Sequence, residues 1–271
     1  MNILNKITTH KRKILAKRKI LFPTKLLEGS TYFNSEPVSL KYSIDMNPIP
    51  GIIAEFKRKS PSKGIINKDA DIIEISKGYM KAGATALSVL TDTYYFMGKN
   101  DDLTAARKHN DGPILRKDFF IDEYQVIEAK SIGADAILLI AAVLTRDEIK
   151  KFTDLAHSLN LEVLLEIYDA GELVKMYDEV DLVGINNRNL NTFKVSLDHS
   201  VELAHKLPSG IIKIAESGIS NPASIIKLRA CGFKGFLIGE SFMRAASPAL
   251  ECRKYIEFIR KGYETESMWN A

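Results

Sequence analysis

The sequence predicts an α/β chain folded as a single (β/α)8 barrel of the TIM type, with an additional basic helix before it. Three observations carry this. Short apolar, β-branched runs recur eight times, and amphipathic helical stretches separate them. Strands alternating with helices imply parallel pairing, because parallel neighbours need a crossover connection. Third, several runs end at their carboxyl side on charged or amide residues: Glu55 and Lys57, Lys117, Glu166, Asn186 and Arg188, and Glu216 and Ser217. A doubly wound open sheet would string those groups along an edge. A closed barrel brings all of them to one mouth, which is where active sites of this architecture lie.

The first 45 residues are expected to form a helical extension packed on the barrel, and residues 46–271 the barrel itself. Residues 1–27 carry eight Lys/Arg and no acid, which leaves 30 basic against 34 acidic residues in the remainder. Ile3, Leu4, Ile7, Ile14 and Leu15 recur at helical spacing, so the segment is an amphipathic basic helix. A nucleic-acid arm would interleave aromatics with its charge, and this stretch has Phe22 alone. A transit peptide would favour Arg and Ser. The reading retained is a helix lying on the domain with its positive face in solvent, Lys11, Arg12 and Lys13 among the charges that attract an anionic substrate.

The eight strands are expected at Ile52–Phe56, Ala86–Leu90, Ile114–Lys117, Ala136–Ile140, Glu162–Ile167, Leu182–Asn186, Ile211–Ala215 and Gly235–Ile238. In the first, "IAEFKRKSPSKG" (residues 53–64) puts Ile53, Glu55 and Lys57 on one face and Ile52, Ala54 and Phe56 on the other. The second face suits helix packing; the first carries charge only at its mouth end. The helical stretches "DIIEISKGYMKAGA" and "DEYQVIEAKSIGADA" each stop at a Gly-Ala pair just before the next strand. "NPASIIKLRACG" places Pro222 in a first turn and Gly232 past the end.

Of 271 residues, 45% are hydrophobic and 27% charged, an ordinary globular balance. No apolar run reaches the roughly 18 residues that span a bilayer, and no secretory signal is legible. Cys231 and Cys252 make neither a disulfide framework nor a metal-ligand spacing. A reducing, cytoplasmic setting fits, with neither nucleic acid nor membrane as partner.

Two lysines (Lys57, Lys117) and two glutamates (Glu55, Glu166) at one mouth form an acid–base set. Ion pairing at the rim explains any one pair, but less readily five strands together. "IAESGIS" ends the seventh strand and "FLIGES" the eighth, with Gly218 and Gly239 at the strand–loop junctions. Glycine there lets backbone N–H groups approach an anion, and these two loops are the usual phosphate cradle of a barrel. No nucleotide loop or metal triad appears, so a phosphorylated small molecule is expected, without a cofactor. Tyr95, Phe96, Phe119 and Leu190 offer an apolar wall for a flat ring.

"IAEFKRKSPSKG", "LRKDFFIDEYQVIEAKSIGADAILLI", "LLEI", "GINNRNL", "IAESGI" and "FLIGES" resemble, in order, the motifs of indole-3-glycerol-phosphate synthases. The resemblance also covers the basic helix before the barrel. It implies a lyase of tryptophan biosynthesis that closes, decarboxylates and dehydrates 1-(2-carboxyphenylamino)-1-deoxyribulose 5-phosphate to indole-3-glycerol phosphate. By motif it implies Lys117 as principal general acid, Glu166 as general base and Lys57 as second lysine. Glu55 and Asn186 would orient these groups, and Arg188 and Glu216 would shape the charge network. Ser217, Gly218, Gly239 and Glu240 would hold the phosphate, and Phe96, Phe119 and Leu190 the anthranilate ring. A monomer with no metal is expected. The rivals are another sugar-phosphate isomerase or aldolase on the same barrel, or an inactive binding subunit. After the second strand the family reads a paired phenylalanine followed by small residues, where this chain has Tyr95-Phe96-Met97-Gly98-Lys99.

Overall fold

Eight parallel strands close into a barrel in the computed structural model, which describes residues 3–189 and 192–269. Closure is visible in the first strand, Gly51–Phe56, where Ile53 is in register with Ala86 of the second strand and Leu237 of the eighth. The second to sixth strands span Ala86–Leu90, Ile114–Lys117, Ala136–Ile140, Glu162–Ile167 and Leu182–Asn186, as the sequence predicts. The seventh lies one residue later than expected, at Ile212–Glu216, so Glu216 is its last residue. The eighth begins earlier, at Phe233, and its register shifts between Phe233 and Gly235.

The period of two sorts the core into two layers. Ile53, Leu115, Leu138, Leu164, Leu182, Ile214 and Leu237 belong to the cluster inside the barrel. Ile52, Ala54 and Phe56 belong to the larger cluster between the sheet and the helices. The helix stops behave as read: Gly83 and Gly133 both take positive φ, 100° and 93°, the left-handed conformation that glycine adopts without steric cost.

The segment before the first strand reaches both ends of the barrel. At the amino end, the short helix Leu40–Asp45 starts at Ser39, whose hydroxyl accepts the Tyr42 N–H. Its Leu40 and Ile44 complete the inner apolar cluster. A Cβ at Gly51 would stand 2.4 Å from Ile44 Cδ1, and one at Gly235 3.3 Å from it. Glycine at these two positions, near the amino ends of their strands, is what lets the plug seat.

At the other end lies the helix Ile3–Leu21. Leu4, Ile7, Thr8, Lys11 and Leu15 form its buried stripe, and Leu15 packs with Leu27 and Tyr124. Arg18 pairs with Glu128 at 2.6 Å and Lys19 with Asp122 at 2.7 Å, fastening the helix to Glu123–Ser131. Arg12, Lys13 and Lys17 are exposed, as expected of a solvated positive face. Lys11 is not part of that face. It is buried between Asp92 and Asp118, at 2.7 and 2.6 Å, so it contributes nothing to a surface field. Among the described residues, no helix is long and apolar enough to cross a membrane.

Candidate active site

The strands' carboxyl ends surround a cavity of about 760 Å³. Each strand delivers its last inward-facing side chain there, since residues two apart share a face. Glu55 and Lys57 come from the first strand and the residue after it. Lys117, Asn186 and Glu216 end the third, sixth and seventh, and Glu166 is the last but one of the fifth.

Lys117 is the hub. Its Nζ stands 2.8 Å from Glu166 Oε2 and 3.1 Å from Glu216 Oε2. Burial disfavours its charge, but Glu166, Glu216 and Glu55 together outweigh burial and raise its pKa. Glu166 is also buried, yet Lys117 and the Asn186 amide, which donates to Oε1 at 3.0 Å, hold it below the ordinary range. Glu216 goes the other way. Burial and the neighbouring Glu166 carboxylate push it up to about 8 despite Lys117, whose ammonium, 3.1 Å from Oε2, is its ion-pair partner. Two carboxyls beside one lysine thus differ in protonation: one is a ready base, the other a held acid.

Space for these groups is made by two glycines. A Cβ at Gly184 would meet Glu216 Oε1 at 1.9 Å, and one at Gly239 would meet Glu55 Oε1 at 2.4 Å. Glu55 in turn binds Lys57 Nζ at 2.5 Å.

The loops after the seventh and eighth strands line the same cavity through Ser217, Gly218, Gly239 and Glu240. Ser217 and Gly218 both take positive φ, 64° and 70°. Cations gather beside them: the Glu240 carboxylate has Arg188 at 3.2 Å, Arg244 at 3.5 Å and Lys63 at 3.7 Å. Phe96 and Phe119 also line the cavity, their ring centroids 6.0 Å apart. The first strand separates them from the glycine loops on one side, and the fourth to sixth strands on the other.

The predicted site residues within the described chain, Tyr95 excepted, therefore line one cavity; Leu190 lies outside the described residues. Tyr95 is not in the wall. It turns outward against Tyr94 and His10, at 4.9 and 6.0 Å between ring centroids, because four residues of helix, Thr93–Phe96, point neighbouring side chains in different directions.

An indole-3-glycerol phosphate synthase family model matches residues 4–255, nearly the whole barrel and the helix before it. The chain belongs to the indole-3-glycerol phosphate synthase family. A protein of Bacteroides thetaiotaomicron named indole-3-glycerol phosphate synthase is 44% identical over 262 residues, 96% of this chain and 99% of the relative. One from Caldanaerobacter subterraneus is 40% identical over 261 residues, 96% and 98% of the two chains. Among solved structures, the tryptophan synthase alpha subunit of Legionella pneumophila has a TM-score of 0.61 at 12% identity, covering 83% of this chain and 97% of that one. At that identity it is a likeness of fold.

Motif reading of this synthase-family chain missed part of the wall. Ile3, Leu4 and Ile7 line the cavity, so the N-terminal helix covers the mouth as well as resting on the domain. Their helical spacing marked a docking face; its partner had no local signal. Lys63 and Arg244 also line the cavity. Lys63 sits in the first motif, and only its distance to Glu240 singles it out.

Proposed function

We propose that the cavity carries out the family reaction with the residues named above in the following roles. Ring closure needs an aromatic carbon to attack the substrate ketone, so a proton must meet the developing alkoxide. Lys117, held charged chiefly by the Glu166 carboxylate, supplies it. Carbon dioxide then leaves from the ring carbon and its bonding pair returns to the ring system. Lys57 is the cation that holds the departing carboxylate before that step. Loss of the hydroxyl as water consumes a second proton, and Glu166, ionised below the usual range, takes the final proton from carbon. The products are indole-3-glycerol phosphate, carbon dioxide and water, and every step moves protons or leaving groups.

Glu55 and Asn186 orient Lys57 and Glu166, with which they bond at 2.5 and 3.0 Å. Ser217, Gly218, Gly239 and Glu240 hold the phosphate through backbone N–H groups, with Arg188, Lys63 and Arg244 supplying charge. Phe96 and Phe119 flank the anthranilate ring. The observation that carries the reading is Lys117 bridging Glu166 and Glu216, an acid and a base in contact inside one enclosed cavity. Residues 1–45 and 46–271 act as one catalytic unit, monomeric and cytoplasmic.

The test is whether the purified chain, given the anthranilate-deoxyribulose phosphate with no metal or nucleotide added, develops indole fluorescence. Borohydride trapping of a covalent adduct at Lys57 or Lys117, with no indole formed, would replace this reading by a Schiff-base aldolase or isomerase.

A further inference from the structure

Lys11 lies on the cavity-facing stripe of the N-terminal helix, one turn past Ile7, where an apolar residue would ordinarily sit. Its ammonium bridges two carboxylates that are themselves buried: Asp92 after the second strand and Asp118 after the third. Each carboxylate fixes a loop backbone. Asp92 Oδ1 caps the helix Thr93–Phe96 by accepting the Tyr95 N–H at 2.8 Å, while its Oδ2 is the oxygen paired with Lys11. Asp118 Oδ1 accepts the Phe119 N–H at 2.8 Å and is also the oxygen that Lys11 holds. Its Oδ2 takes the Thr91 hydroxyl at 2.6 Å and Arg116 at 3.4 Å.

One cation from outside the barrel therefore ties together the two backbone segments that present Phe96 and Phe119, and the second of these segments also carries Lys117. A buried ion pair of this kind is geometrically demanding, since any displacement leaves a carboxylate desolvated and unpaired. That makes it a spacer. Lys11 does not itself line the cavity; its contact with the wall is Asp118, so its effect on turnover passes through the loops.

We propose that Lys11 is a positioning residue, which sets the separation of Phe96 and Phe119 by bridging Asp92 and Asp118. The proposal rests on the reading of those two rings as the walls around the anthranilate ring.

A double-mutant cycle tests it, with kcat and KM measured for the wild type, Lys11→Met, Phe96→Ala and the double variant. Each single change is expected to lower kcat/KM about tenfold, the scale of a sub-ångström misplacement of a bound ring. The double variant should stay within about twofold of Phe96→Ala, because a spacer has no effect once the wall it spaces is gone. Losses that multiply to about a hundredfold would overturn the proposal and leave the ring wall standing, as would a Lys11→Met enzyme with unchanged kcat/KM. An unchanged Phe96→Ala enzyme would overturn the ring wall and the proposal with it. If Lys11→Met does not fold, Lys11→Gln with Asp92→Asn replaces it in the same cycle; it removes the charge on both sides of one pair and keeps an amide oxygen to cap Thr93–Phe96. A structural role alone would lower thermal stability equally with or without Phe96 and show no coupling in kcat/KM.

Discussion

The two ends of the barrel are both closed by residues that precede the first strand, and the closures have opposite chemistry. At the amino end Leu40 and Ile44 enter an apolar interior. The acids at that rim are satisfied: Glu162 accepts from Ser39 and from Lys41 N–H at 2.8 Å, and Asp135 pairs with Arg107 at 2.5 Å. At the carboxyl end Glu55, Glu166 and Glu216 converge on two lysines, and Glu216 shares Lys117 with Glu166. Burying charge opposes folding unless every group is paired. One end is arranged for stability, and the other retains a strained charge set that acid–base chemistry can use.

Substitutions that break one end should leave the other's property intact. The largest effect is expected at the mouth: Lys117→Met and Glu166→Gln should each lower kcat by ~10²–10⁴-fold, the usual loss for a removed acid or base, with a smaller change in KM. Steady-state kinetics checks this, and retention of more than about a tenth of wild-type kcat would remove the assigned role. Next comes the plug. Ile44→Ala should cost about 3 kcal/mol in chemical unfolding, as truncation of a fully buried side chain does, while kcat stays within about twofold because the plug touches no reacting group.

A third change separates folding from ionisation. The folded chain holds Glu216 protonated up to about 8, whereas the unfolded chain ionises it near 4.5. Its contribution to stability is therefore complete below 4.5 and is lost as pH rises through about 8. Glu216→Gln should flatten that decline and make the chain more stable than wild type above pH 8, as denaturant titrations across the range would show. The smallest effect concerns the outer face of the N-terminal helix. Arg12→Gln with Lys13→Gln, leaving Lys11 in place, should lower kcat/KM no more than about twofold at low ionic strength and not at all in high salt, where exposed charge is screened. An equal loss at both salts would show that these two residues act by contact.

Much of the site was legible because strand alternation is a local rule. Glu55 and Lys57 share a face with Ile53 and had to point where Ile53 points, into the barrel. Lys117, Glu166 and Asn186 could be placed the same way, and "IAESGIS" and "FLIGES" marked their loops by glycine at a strand end. The family motifs then assigned roles that alternation cannot supply. Tyr95 was misplaced because a strand-end loop was read without the short helix that Asp92 caps.

By itself, the sequence determined the order and bounds of most strands, the two-layer sorting of apolar residues and the convergence of charge on one mouth. All of these follow from spacing along the chain. The tertiary structure alone decided which charges face each other. Lys11 belonged by composition to a basic surface helix, and folding buried it against two aspartates some 80 and 107 positions away. Glu166 and Glu216 are the same residue type at the mouth ends of their strands, and their opposite ionisation comes from the closer Lys117 ammonium and the Asn186 amide at one, and from burial beside that ionised carboxylate at the other. Coulomb and desolvation energies depend on distance and local dielectric in three dimensions, and no periodicity in the chain encodes either.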